Sequence, residues 1–298
     1  MPKLLSAFFL AASVWVLHAG VSTGEDLKPE YVHHDMEGVA WIGRVLPLNK
    51  QTVESVSVAW DAKPATEDTE TGFGGRIFKV GRGLGYTVIR FHGFEYNGRL
   101  AWAEVGLEFG PKMPQDVREQ LLGIWDRNGG PKCLCHNDTC TYEWSAAEIL
   151  ESYRQAVARQ LGPQKRVEVP DALKSQYDLL MTPFETAVIT PGWCGMIPPP
   201  GEPLEPLPEV EAIRALVAAR RVDLIINVLR GYNAGARVHA LLALQYLRRD
   251  GLPISQDVAV SMKRVEALDV RVSFCLADFV DERLTARKVV QRMEEYRH

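Results

Sequence analysis

The sequence predicts an α+β domain followed by an all-helical one, on three observations. Thirteen of the 24 glycines fall between positions 72 and 130, whereas residues 211–298 hold three glycines and one proline. Ten of the 18 prolines lie between 163 and 208, which marks a connector. Short β-branched and aromatic runs fill the glycine-rich stretch, and apolar residues at helical spacing fill the last third. The 298 residues are otherwise ordinary for a globular chain, with 46% hydrophobic and 24% charged residues. A balance of 34 Lys+Arg against 38 Asp+Glu, net charge -4, supplies no basic field for phosphates, so no nucleic acid partner is expected.

Residues 1–24 carry one lysine at position 3, an apolar run from 4 to 17, and then small and polar residues. That order predicts a signal peptide, and the run is shorter than the roughly 20 residues a membrane-spanning helix needs. No transmembrane segment is expected after its removal, and the mature chain is expected to be secreted or periplasmic.

Residues 25–165 are read as the α+β domain. Strand signals occupy 39–45, 55–60, 76–80, 86–91 and 100–109, and Tyr96-Asn97-Gly98 is a hairpin turn because Asn and Gly accept positive φ. The glycine loop at 81–85 has no lysine-serine ending and is read as a hairpin or bulge, not as a phosphate cradle. Two helices follow the strands. The first, 114–125, repeats Val117, Leu121 and Trp125; the second, 146–161, aligns Leu150, Tyr153, Val157 and Leu161. Ser145 with Glu148 predicts a capping box for the second, and Gly162-Pro163 stops it.

Residues 166–208 are expected to be extended and laid on the surface, since proline cannot join a helix or sheet ladder. Residues 209–298 predict successive short helices through Val210/Ile213, Leu224/Val228, Val238/Leu241 and Val258/Met262. A fifth is predicted through Val272, Cys275, Leu276 and Phe279, and a last one around Val289 and Met293. Helices this short must stack on one another. Within them, 223–231 (DLIINVLRG) and 235–247 (GARVHALLALQYL) resemble one HEAT repeat, a short helix, a turn of small residues and an Ala/Leu-rich helix. The order of signal peptide, α+β domain and HEAT-like C-terminal domain resembles that of exported bacterial proteins of unknown function. Stacked helices leave a groove suited to partner proteins, so a protein or cell-envelope partner is expected, with Tyr232, Arg237 and His239 near the turn as binding candidates. The resemblance carries over no catalytic residues, and no cofactor is expected.

The five cysteines are Cys133, Cys135, Cys140, Cys194 and Cys275. Cys133, Cys135, His136 and Cys140 lie within eight residues and could hold zinc, yet a C-x-C spacing in an extended chain sends its sulfurs to opposite faces. A disulfide from Cys140 to Cys135 or Cys133, closing a small hairpin, is the expected arrangement in an oxidising compartment. Cys194 with Cys275 would staple the connector to the helices, closing a loop of roughly 80 residues worth ~4 kcal/mol in the chain-entropy model.

No metal-protease, serine-hydrolase, nucleotide-loop or EF-hand motif occurs. His92, Glu95 and Glu104, flanking the Tyr96-Asn97-Gly98 turn, form the best acid–base constellation, and His33-His34-Asp35 near the expected mature N-terminus could bind metal but is expected to be solvated surface. The sequence therefore leads to an exported, non-enzymatic binding protein. The alternative is a secreted hydrolase or metal-dependent enzyme with its site in the N-terminal domain.

Overall fold

A computed structural model describes residues 27–45, 67–111, 113–128, 132, 134–136, 138–182, 189–190, 207–275 and 282–295. The expected signal peptide and the strand expected at 55–60 lie outside the described residues.

The chain is first described in helix α1 (Pro29–Val45). This corrects the strand expected at 39–45. The helix buries Val39 and half-buries Val32 and Met36, a helical spacing, but Asp35 sits in the same stripe and hides the period from a hydrophobicity reading. Asp35 is buried with its carboxylate on three successive backbone N–H groups: Gly85 and Thr87 donate to Oδ1 and Tyr86 to Oδ2, each at 2.9 Å. These amides lie at the hairpin turn between strands ending at Gly83 and starting at Thr87, so the 81–85 glycine segment runs from a strand into a hairpin, one of the two expected forms.

Strands β1 (Glu67–Gly72), β2 (Gly75–Gly83), β3 (Thr87–Tyr96), β4 (Arg99–Phe109), β5 (Leu134–His136) and β6 (Thr139–Ser145) make one antiparallel sheet in the order β1-β2-β3-β4-β6-β5. Between β3 and β4, Asn97 and Gly98 take φ of 49° and 72°, the left-handed pair that a primed turn requires. Gly93 stands opposite Phe78, and a Cβ there would lie 2.4 Å from the Phe78 ring, so only glycine lets that ring cross the neighbouring strand.

Helix α2 (Gln115–Arg127) covers one face with Leu121 and Trp125, against Phe78, Phe91, Val105 and Leu107. Helix α3 (Ala147–Leu161) covers part of the other with Ile149, Tyr153 and Val157, against Ile77, Phe94 and Trp102. Its N-cap is Ala146 with no side-chain cap hydrogen bond, so the expected capping box does not form, because Ser145 is held as the last residue of β6.

The C-terminal part is mostly helical. It comprises α4 (Asp171–Met181), α5 (Pro208–Ala218), α6 (Val222–Leu229), α7 (Ala234–Arg249), α8 (Gln256–Ala267) and α9 (Ala286–Glu295), making nine helices among the described residues. Over 171–181, helix α4 corrects the extended connector expected at 166–208, since Leu173, Tyr177 and Leu180 pack on one side behind the N-cap Pro170; 166–170 is extended as expected, and 183–188 and 191–206 lie outside the described residues. The fifth helix expected through Val272 and Cys275 is instead strand β7 (Arg271–Phe274), paired with β8 (Glu282–Thr285). The i, i+3, i+4 spacing there coexists with β-branched alternation at Val270 and Val272, and pairing decides in favour of the strand. Among the described residues no helix is long and apolar enough to cross a membrane.

One apolar cluster runs from the α3 face of the sheet through Leu224, Val228, Leu241 and Val265 to Phe274. At its centre a polar clamp joins sheet to helices. Arg237, 1% exposed, lies 5.2 Å over the Phe73 ring and donates through Nε to Gly231 O (3.0 Å) and through Nη2 to Tyr232 O (2.7 Å) and Tyr153 Oη (3.1 Å). Tyr153 Oη in turn meets Thr71 Oγ1 of β1 at 3.0 Å. The two carbonyls follow the C-terminal end of α6, where the helix dipole places partial negative charge, so the buried guanidinium is compensated by backbone oxygens.

The disulfide joins Cys135 to Cys140, which face each other across β5 and β6, as one of the two expected pairings. Cys275 is also disulfide-bonded, whereas Cys133 and Cys194 lie outside the described residues. The Cys275 amide donates to Ile189 O at 2.9 Å, five residues before Cys194 in sequence. A non-reduced peptide map is expected to link Cys275 to Cys194, leaving Cys133 as the free thiol; a Cys133–Cys275 link would contradict this.

Candidate functional site

Helix α6 is eight residues long and its core face is apolar, with Leu224, Ile225, Val228 and Leu229 buried. Asn227, in its middle, is only 2% exposed. A buried carboxamide must find partners, and Asn227 finds them in the strap 162–170 between α3 and α4. Its Oδ1 accepts from the Lys165 N–H at 2.9 Å and its Nδ2 donates to Lys165 O at 2.7 Å. One side chain thus satisfies both main-chain groups of one residue, as a neighbouring strand would.

The strap is fastened on both sides of that point. Arg230, buried at the end of α6, donates to Pro163 O at 3.2 Å, and Arg221, at its start, donates to Glu168 O at 2.6 Å. The strap therefore runs antiparallel to α6. The nine steps from 221 to 230 rise about 13 Å as helix, close to the roughly 16 Å that the five steps from 163 to 168 span when extended. Gln164 adds two polar side-chain contacts of the strap with this helix and its turn: its Nε2 donates to Asn227 O (3.1 Å) and its Oε1 accepts from Tyr232 Oη (3.2 Å). Burial raises the Tyr232 phenol above its ordinary pKa, against the opposing Arg154 cation.

Acidic groups hold the two arginines in place. Asp223 chelates Arg221, which lowers the Asp223 pKa. Asp257 accepts from Ser255 and from Arg230 and is lowered from 3.8 to about 2 by those two bonds, the serine first. A depressed carboxylate stabilises the fold above its unfolded pKa and stops doing so as pH falls through the folded value. Acid titration of stability is therefore expected to lose the Asp257 contribution between about pH 4 and pH 2, and Asp257→Asn to flatten that limb; an unchanged limb would contradict the assignment.

The residues expected to bind or react are placed as follows. Arg237 and His239 are buried inside α7 and do not form a groove rim, while Tyr232 is half-buried and does reach the strap. His92 and Glu104 are register partners on β3 and β4, with Lys79 and Glu143 continuing the row on the neighbouring strands. The His92 ring meets the Trp102 ring edge to face at 5.2 Å. Glu95 is separated from them. A bulge follows Phe94, and Glu95 pairs with Leu100, with its buried carboxylate 3.7 Å from Arg76. The expected three-residue constellation is thus reduced to an imidazole beside one carboxylate. Cys135 and Cys140 spend their sulfurs on each other, so they cannot serve as thiolate ligands with His136. Asp35 is taken by backbone amides, and among the described residues no group of three metal-ligating side chains converges.

Asn227, Arg221 and Arg230 were not legible as a site. The available signal is a lone amide inside the apolar run Leu224-Ile225-Ile226-Asn227-Val228-Leu229. No known family model, curated protein or solved structure matches this chain.

Proposed function

We propose that the protein is an exported, non-enzymatic binding protein whose C-terminal helices, similar in the 223–247 unit to a HEAT repeat, take a protein or cell-envelope partner. The observation that carries this reading is the strap. The helical part holds an extended segment through contacts to its backbone, from Asn227, Arg221 and Arg230. Side chains arranged to satisfy main-chain groups in this way are suited to polypeptide recognition. The second reading, a hydrolase working from the sheet, is favoured by the opposition of His92 and Glu104.

The two separate in cells that make the protein. A photo-crosslinking residue at Tyr246 or Val260, 51% and 38% exposed on α7 and α8, is expected to give an adduct of defined mass. The same residue at Leu134, on the far edge of the sheet, is expected to give none. Replacing His92 and Glu104 with alanine should leave the adduct intact. Adducts from Leu134 alone, or their loss in the His92/Glu104 variant, would overturn the binding reading in favour of a site on the sheet.

A further inference from the structure

We propose that the face of α6 carrying Asn227 is a recognition site for an extended polypeptide, and that residues 162–170 occupy it in cis as an exchangeable stand-in for a partner's segment. This deepens the binding-protein reading by naming the ligand class and the regulation of the site.

The argument begins with what holds the strap. Its fixed points, Pro163 O, the N–H and O of Lys165, and Glu168 O, are main-chain groups that any extended segment would present. The side chains of Lys165, Arg166 and Glu168 are exposed, so the groove does not read them. Gln164 is read by Tyr232 and the Asn227 carbonyl, and Val167 and Val169 lie half-buried against the apolar cluster. The chemistry selected is an extended chain with an amide side chain followed by β-branched residues three and five positions on.

The second part of the argument is what does not hold it. No residue of 162–170 is buried, although Leu161 before it and Leu180 beyond it both are. Detaching the strap costs hydrogen bonds that water replaces and little apolar surface, so its local opening is far easier than unfolding of α7. On the groove side, Asn227 and Arg230 are buried and positioned by α6, Asp257 and Ser261, which leaves the reading groups in place when the strap leaves. A tethered segment competes at an effective concentration of about millimolar or more, so a free peptide sees only the small open fraction of the wild-type protein.

The probe is the synthetic nonapeptide of residues 162–170, GPQKRVEVP, fluorescently labelled and titrated into three full-length proteins. Wild type is expected to show no saturation at micromolar peptide. A variant whose residues 163–169 are replaced by a Gly/Ser linker, with cooperative melting confirmed, is expected to bind at least ~10-fold more tightly than wild type. Adding Asn227→Ala to that variant is expected to abolish binding. Should the linker variant fail to fold, Lys165→Pro removes the amide that Asn227 holds while leaving the groove intact, and carries the same expectation.

A folded, opened variant that ignores the peptide overturns the inference, as does binding that survives Asn227→Ala. A doubling of mass in solution upon opening would also overturn it, by making the occupant the strap of a second copy. The crosslinking at Tyr246 and Val260 does not depend on the strap, so failure here leaves the binding-protein reading to be judged by that test.

Discussion

Arg237→Ala is expected to destabilise the protein by about 3 to 4 kcal/mol, seen as a fall of about 10 °C in Tm. The guanidinium donates to Gly231 O, Tyr232 O and Tyr153 Oη and packs on Phe73, so its removal strands two carbonyls and opens a void beneath the β1–β2 turn. Bonds from a charged donor are worth more than neutral ones, and buried acceptors left bare carry their full desolvation cost. Two further variants divide the effect. Arg237→Met restores volume without donors and is expected to recover less than half of the loss; Arg237→Lys keeps the charge but not the planar fork, and is expected to lose about 2 kcal/mol. Wild-type stability in the Met variant would show that the clamp contributes only packing.

Asp35→Asn is expected to cost about 2 kcal/mol. The exchange is nearly isosteric, yet one carboxamide end must present N–H groups to the backbone N–H donors that Asp35 accepts from Gly85, Tyr86 and Thr87. The loss should appear in thermal melts together with faster amide exchange at those three residues. Unchanged exchange there would mean that the carboxylate does not hold the β2–β3 turn in solution.

These two residues and Asn227 explain which parts of the fold were legible. Strands β2, β3 and β4, their Asn97-Gly98 turn, α2, α3 and most of the C-terminal helices follow local rules of alternation, period and turn chemistry, and they stand close to where those rules put them. Helix α1 was misread because Asp35 interrupts its apolar stripe, and the interruption makes sense only beside amides some 50 residues away. Arg237 looked like a rim residue because arginine is seldom buried; its partners, the α6 end and Tyr153, are brought to it by the tertiary fold. The groove around Asn227 was invisible for the same reason, since its ligand is a segment more than 60 residues upstream. His92 and Glu104 did prove to be neighbours, because hairpin register is a local property; Glu95 lies on the other face because positions 92 and 95 have opposite parity along β3, which strand alternation alone dictates.

The contact on which the functional account rests is the pair of hydrogen bonds between Asn227 and Lys165, and native-state amide exchange at Lys165 tests it most directly. The account predicts intermediate behaviour: measurable protection in the wild type, lost in Asn227→Ala, and exchange at least ~100-fold faster than the core amides of α7, reflecting local opening. A Lys165 amide exchanging at its intrinsic rate in the wild type would contradict the contact itself. Protection equal to that of α7 would contradict an exchangeable strap and make 162–170 a permanent part of the helical core.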